Sequence, residues 1–165
     1  MPLRADEALA LAGMMGAGKS TVALLLGRWL HRRVMSTDAV LVERFGKPVP
    51  RIFAEDGEPA FRQAEREVVA SISGPLVVDL GGGAFCDHTS AERLLRTSRV
   101  VFLDVSEREA LQRISGGEEE AVRPLAARWR TLRARRGPLY GRAHHVVAVD
   151  GFSPEAVARR ILGLL

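Results

Sequence analysis

The run Gly13-Met14-Met15-Gly16-Ala17-Gly18-Lys19-Ser20, followed by Thr21, fits the pattern G-x-x-x-x-G-K-[ST]. An apolar stretch precedes it and an amphipathic one follows, so it reads as a strand, a glycine loop and a helix start. Glycines in such a loop let successive backbone N–H groups curl around phosphate oxygens, and the helix N-terminus adds its positive end. Lys19 is placed to reach the β- and γ-phosphates of a nucleotide, and the Ser20 hydroxyl to ligate Mg²⁺. The competing reading is a tight glycine turn; the lysine, the serine and the flanking elements favour phosphate. The chain's 24 basic side chains include only two lysines, Lys19 and Lys47. A lysine kept at position 19 points to a need for a compact ammonium. The loop alone does not separate kinase from ATPase or GTPase. No N-K-x-D occurs in the chain, which argues against guanine selection.

Four further features suggest an acceptor. Asp38 follows the second apolar run, where a carboxylate can accept a proton from a substrate hydroxyl; it fits equally as the N-cap of the next helix. Arg62 sits in the first turns of a helix opened by Gly57-Glu58-Pro59, against the helix dipole, which suggests an anionic partner. Glu65, three residues on, is placed to orient it; an ordinary surface pair reads the same way. Gly81-Gly82-Gly83 closes the third apolar run and suggests backbone packed close to a ligand. Arginines then cluster at Arg123, Arg128, Arg130, Arg133, Arg135 and Arg136, with Tyr140 following. Guanidinium forks suit carboxylate and phosphate. A solvated face, or a nucleic-acid patch with Trp129 free to stack, would have the same composition.

These residues need a scaffold, and the chain has the length for one. At 165 residues a single domain spanning 1–165 is expected, with 47% apolar residues and a net charge of +4. No run approaches the roughly 18–20 apolar residues of a membrane span, and Arg4, Asp6 and Glu7 make a poor signal peptide, so a cytoplasmic protein is expected. The lone Cys86 excludes an internal disulfide, and the histidines (His31, His88, His144, His145) have no metal-like spacing. Short apolar runs alternating with longer amphipathic ones predict an α/β fold with a parallel sheet. Strands are expected at Leu9–Ala12, Val34–Met35, Leu76–Asp79, Val100–Leu103 and Val146–Val149. Helices are expected at Lys19–Leu30, Asp38–Phe45, Pro59–Ser71, Ser90–Thr97, Glu107–Ile114, Leu125–Arg135 and Pro154–Leu164, with Ser106 and Ser153 as N-caps. Ser115–Arg123 reads as loop, either mobile lid or plain solvated turn.

Together, the loop GMMGAGKST, Asp38, IFAEDGEPAFRQAE, GGGAF, RPL and the final RGPLY resemble the shikimate kinase family from end to end. The resemblance implies a P-loop three-layer fold, a five-stranded parallel sheet flanked by helices, with a lid at about 115–127. It implies transfer of the γ-phosphoryl of ATP, with Mg²⁺, to the 3-hydroxyl of shikimate, by a monomer without nucleic-acid or membrane partners. Carried over by position, Gly16, Ala17, Gly18, Lys19, Ser20 and Thr21 hold the nucleotide phosphates. Asp38 binds the acceptor hydroxyls and acts as base, Arg62 and Arg136 clamp the carboxylate, and Gly82 offers backbone. Arg123, in the lid, meets the ATP phosphates, and adenine lies between Arg113–Ile114 and the loop before Pro154.

The chain departs from that pattern where the family usually has D-x-D: it reads Ser36-Thr37-Asp38, without the first carboxylate that holds Mg²⁺ through water. Asp79, ending the third strand, is expected to supply it. Arg113-Ile114-Ser115 stands where the family has R-T, and the stretch from RPL to Arg136 is short. A sister kinase for another hydroxy acid such as gluconate, and a degenerate member that binds without turnover, are the alternative readings.

Overall fold

Six consecutive buried residues, Ala8–Gly13, form strand β1 at the centre of the sheet. A strand apolar on both faces needs cover on both, which is how a parallel sheet between helix layers reads in sequence. The computed structural model describes residues 1–116 and 119–165, with side chains described outside 117–124. Strands β2 (Arg33–Ser36), β3 (Leu76–Asp79), β4 (Ser98–Asp104) and β5 (His145–Ala148) join β1 in the order β2-β3-β1-β4-β5, every neighbouring pair parallel. In register, Ser36 lies beside Asp79 and Asp79 beside Leu11, so β2 and β3 end level with each other and two residues short of the end of β1 at Gly13. Loops at this carboxyl edge are where open α/β sheets bind ligands.

The helices are α1 (Lys19–Trp29), α2 (Thr37–Phe45), α3 (Val49–Glu55), α4 (Glu58–Ala70), α5 (His88–Thr97), α6 (Glu107–Ser115), α7 (Glu119–Tyr140) and α8 (Pro154–Leu162). Ser106 and Ser153 cap α6 and α8 as expected, accepting from Glu109 N and Ala156 N at 3.2 Å each. One large apolar cluster fills the space between sheet and helices. A second, separate cluster of Leu41, Ile52, Phe61, Ala64 and Val68 unites α2, α3 and α4 into a small subcore beside β2. Among the described residues no helix is long and apolar enough to cross a membrane.

All five expected strands are present, but two helical expectations need correction. Helix α3 lies where the sequence gives no helix signal, because Pro48 and Pro50 bracket its start. Proline is tolerated in a first turn, and Pro48 and Pro50 occupy the N-cap and the second helical position. Helix α7 is longer than expected at both ends. The stretch from Ser115 is not one long loop: Ser115 ends α6, Gly116 caps it with φ 61°, and helix resumes at Glu119. Residues 117–118 and the Arg123 side chain, both within the expected lid, lie outside the described residues. At its other end α7 runs through Gly137-Pro138, although Pro138 has no N–H to donate to the preceding turn. Leu139 and Tyr140, 8% and 1% exposed, are buried there, and their packing overrides the local breaker.

Candidate active site

The phosphate loop leaves β1 at Gly13 and turns into α1 at Gly18, with Gly16 at φ 85° and Gly18 at φ 86°. That left-handed backbone suits glycine. A Cβ on Gly16 would lie 2.8 Å from the Ala110 carbonyl oxygen, so the loop packs directly on α6. Gly18 caps α1 without a side-chain acceptor, which leaves the first helical N–H groups for a ligand. Lys19 folds over the loop, its ammonium donating to Gly13 O at 2.7 Å and Met14 O at 3.2 Å. Burial holds its pKa below the usual lysine range, against the pull of Asp79 and Asp38. Ser20 Oγ donates to Asp79 Oδ2 at 2.6 Å.

On the acceptor side, the N-cap of α2 is Ser36, whose hydroxyl accepts from Ala39 N at 3.2 Å. Asp38 is therefore not spent on capping, and its carboxylate faces the cavity. Burial raises its pKa; Lys19 opposes the rise and the Asp79 charge adds to it. The three glycines after β3 each lie beneath one functional group. A Cβ on Gly81 would collide with the Asp38 carboxylate. One on Gly82 would lie 2.8 Å from Arg136 Nη1, and one on Gly83 2.5 Å from Arg62 Nη1. The sequence suggests backbone packed close to a ligand here; the near neighbours in the structure are the side chains of Asp38, Arg136 and Arg62.

Side chains from the surrounding elements fix that floor. Thr37 Oγ1, fully buried, accepts from Gly81 N at 2.8 Å, and Tyr140 donates to Gly82 O at 2.7 Å. Thr37 carries no signal in the sequence beyond a hydroxyl beside Asp38. Arg62 is held by Glu65 at 2.7 Å and by Glu58 at 3.5 Å, and its guanidinium lies 5.3 Å from the Phe61 ring centroid. Glu65 is 2% exposed, and burial pushes its pKa up despite the arginine. A cation set against the helix dipole is thus balanced within α4, as the spacing from Arg62 to Glu65 suggested.

These residues enclose a cavity of about 800 Å³ in which Lys19, Ser20, Asp38, Arg62, Arg136 and Asp79 converge, with the glycines as floor. Among the described residues no three His, Cys, Asp or Glu cluster as a metal cage. A smaller cleft of about 190 Å³ adjoins it beyond the loop, between Arg113 and the Phe152–Pro154 segment, with Val22 and Val157 on its wall. Arg113 donates to Gly16 O at 3.0 Å and to Glu109 Oε1 at 3.0 Å. Of the late arginines, Arg128, Arg135 and Arg136 reach the main cavity, while Arg130 pairs with Glu107 and Arg133 with Asp104. Trp129 is not a free stacking surface: it is 5% exposed and donates to Met15 O at 3.3 Å. Burial raises the Cys86 thiol to about 11, which makes it an inert packing group.

Comparison with known proteins agrees with this geometry. A family model described as shikimate kinase matches residues 15–165. Among curated relatives, the shikimate kinase of Synechococcus sp. (strain RCC307) is 40% identical over 162 residues, covering 93% of this chain and 82% of that protein. The Mycobacterium avium (strain 104) shikimate kinase is 39% identical over 164 residues, covering 94% and 91%. Among solved structures, Acinetobacter baumannii shikimate kinase in complex with shikimate aligns with TM-score 0.85 and 32% identity over 96% of this chain and 92% of that one. A Sinorhizobium meliloti gluconokinase, at TM-score 0.65 and 19% identity, shares the fold. The chain belongs to the shikimate kinase family.

Proposed function

We propose that this chain transfers the γ-phosphoryl of ATP to the 3-hydroxyl of shikimate, a step toward chorismate and the aromatic amino acids, acting as a monomer in the cytoplasm. The observation that carries the reading is the matching of Gly81, Gly82 and Gly83 with Asp38, Arg136 and Arg62. It sets one carboxylate and two guanidinium groups around a cavity closed on its other side by a phosphate loop. An anionic polyol needs that set: forks for its carboxylate, a base for the hydroxyl to be phosphorylated, and backbone for the rest. Arg62 and Arg136 clamp the carboxylate, and the Gly82 backbone meets a ring hydroxyl. Asp38 accepts the proton of the attacking hydroxyl. Gly16, Ala17, Gly18, Ser20 and Thr21 cradle the phosphates, and Lys19 leaves the loop carbonyls to follow the charge as it develops. Arg123 is assigned to the ATP phosphates from the sequence.

Mg²⁺ fits the residues present. Ser20 Oγ and Asp79 Oδ2 lie 2.6 Å apart at the foot of the loop and would hold it, both being hard oxygen donors of the kind this ion takes. Bound there with ATP, the ion would offset the negative charge of the phosphates. Asp79 stands beside Ser36 across the β2–β3 ladder, so a carboxylate is kept at the same level of the sheet although β2 ends in serine. Ser36 retains the cap of α2, a role either residue type performs.

ADP release from Mg·ATP should be stimulated strongly by shikimate and far less by quinate or gluconate. A well-folded, ATP-binding protein that responds to none of the three would instead be a binder without turnover. Asp38 must be ionised to accept a proton, and its pKa lies above the usual carboxylate range. The rate profile of kcat/KM for shikimate should therefore fall on the acid side at a pH above that range, and Asp38→Asn should lower kcat by about 100-fold or more. Asp79→Ala should weaken calorimetric binding of Mg·ADP by about 10–100-fold and leave shikimate binding near wild type; an unaltered Mg²⁺ dependence would contradict its role.

A further inference from the structure

Tyr140 is the only tyrosine of the chain and stands one helical turn beyond Arg136 on α7, so both side chains leave the same face. It is 1% exposed, and its ring stacks on Phe102 of β4 with centroids 4.5 Å apart and planes 10° apart. Phenylalanine would serve that packing equally well. The hydroxyl adds a 2.7 Å bond to Gly82 O and a weaker 3.8 Å contact with Met14 Sδ. A peptide is planar and trans, so fixing the Gly82 carbonyl also fixes the Gly83 N–H, which points the opposite way. Thr37 accepts from Gly81 N, and Ala84 N donates back to Gly81 O at 2.9 Å. Among the described residues, neither the Gly82 nor the Gly83 N–H has an acceptor within the protein. Both glycines line the cavity, and glycine backbone is free to rotate unless something holds it.

We propose that Tyr140 is a positioning residue for the acceptor: by holding the Gly82 carbonyl it sets the Gly82–Gly83 peptide so that the free Gly83 N–H meets an acceptor hydroxyl. The inference rests on the shikimate kinase reading and extends it to a residue that touches no substrate. Arg136 and Tyr140 then act as a pair. Arg136 supplies charge beside Gly82, and Tyr140 holds its carbonyl.

Tyr140→Phe removes one oxygen atom and keeps the ring stack. The KM for shikimate should rise about tenfold, the worth of one buried hydrogen bond. The KM for ATP, the affinity for Mg·ADP and the melting temperature should stay near wild type. A second readout uses the unaltered chain: with ¹³C at Cζ of its single tyrosine, the NMR signal should move on saturation with shikimate and stay in place with Mg·ADP alone. An unchanged shikimate KM in Tyr140→Phe, or equal losses for both substrates together with a fall in melting temperature, would overturn the proposal. If the variant does not fold, a tyrosine signal that ignores shikimate overturns it instead. Failure of the kinase reading looks different, because the wild-type chain would then show no shikimate-dependent ADP release.

Discussion

The acceptor half of the site depends on the absence of three side chains. Asp38, Arg136 and Arg62 come from three different helices, yet each lies where a Cβ would stand on Gly81, Gly82 or Gly83. Bare backbone at the end of β3 lets a carboxylate and two guanidinium groups approach the sheet edge together. Thr37 and Tyr140 then hold that backbone at Gly81 N and Gly82 O. The atoms a Cβ would meet are the far ends of functional side chains and not packed core, so the constraint bears on the site more than on the fold.

The charges gathered there are poorly accommodated without a ligand. Burial moves Lys19 down and Asp38 up from their ordinary pKa values, even though each partly offsets the other. Lys19 turns to the carbonyls of its own loop, and Ser20 to Asp79. These are the contacts an anionic nucleotide and its metal would exchange for better ones. Lys19 and Ser20 thus change partners when ligands arrive, whereas Asp38 and Arg62 are held in place beforehand, which limits reorganisation on the acceptor side. The subcore of α2, α3 and α4 supports this, since it carries Asp38 and Arg62 on packing of its own.

Much of this was legible in the sequence because the signals are local. The glycine loop with Lys19 and Ser20, the buried strands and the serine caps depend on neighbours a few residues away. The spacing from Arg62 to Glu65 also fixed an ion pair in advance. Other features depend on distant partners. Asp38 could not be told from an N-cap until Ser36 was seen capping α2. Trp129 resembled a stacking surface until its indole was found against Met15. Pro48, Pro50 and Pro138 are local breakers that tertiary packing overrode, so α3 and the end of α7 were missed. The matching of glycines to functional side chains, and the reach of Tyr140 to Gly82, exist only once α7 lies across the sheet edge.

The most direct test of the glycine floor is calorimetric binding of shikimate and of Mg·ADP to Gly83→Ala. Gly83 has an ordinary backbone conformation, φ −99°, so alanine adds a methyl group without backbone strain, and that methyl meets the Arg62 guanidinium. The account predicts a folded protein with wild-type melting temperature and Mg·ADP affinity, and shikimate affinity reduced by about tenfold or more, as expected for a displaced bidentate contact. Wild-type shikimate affinity in that variant would contradict it.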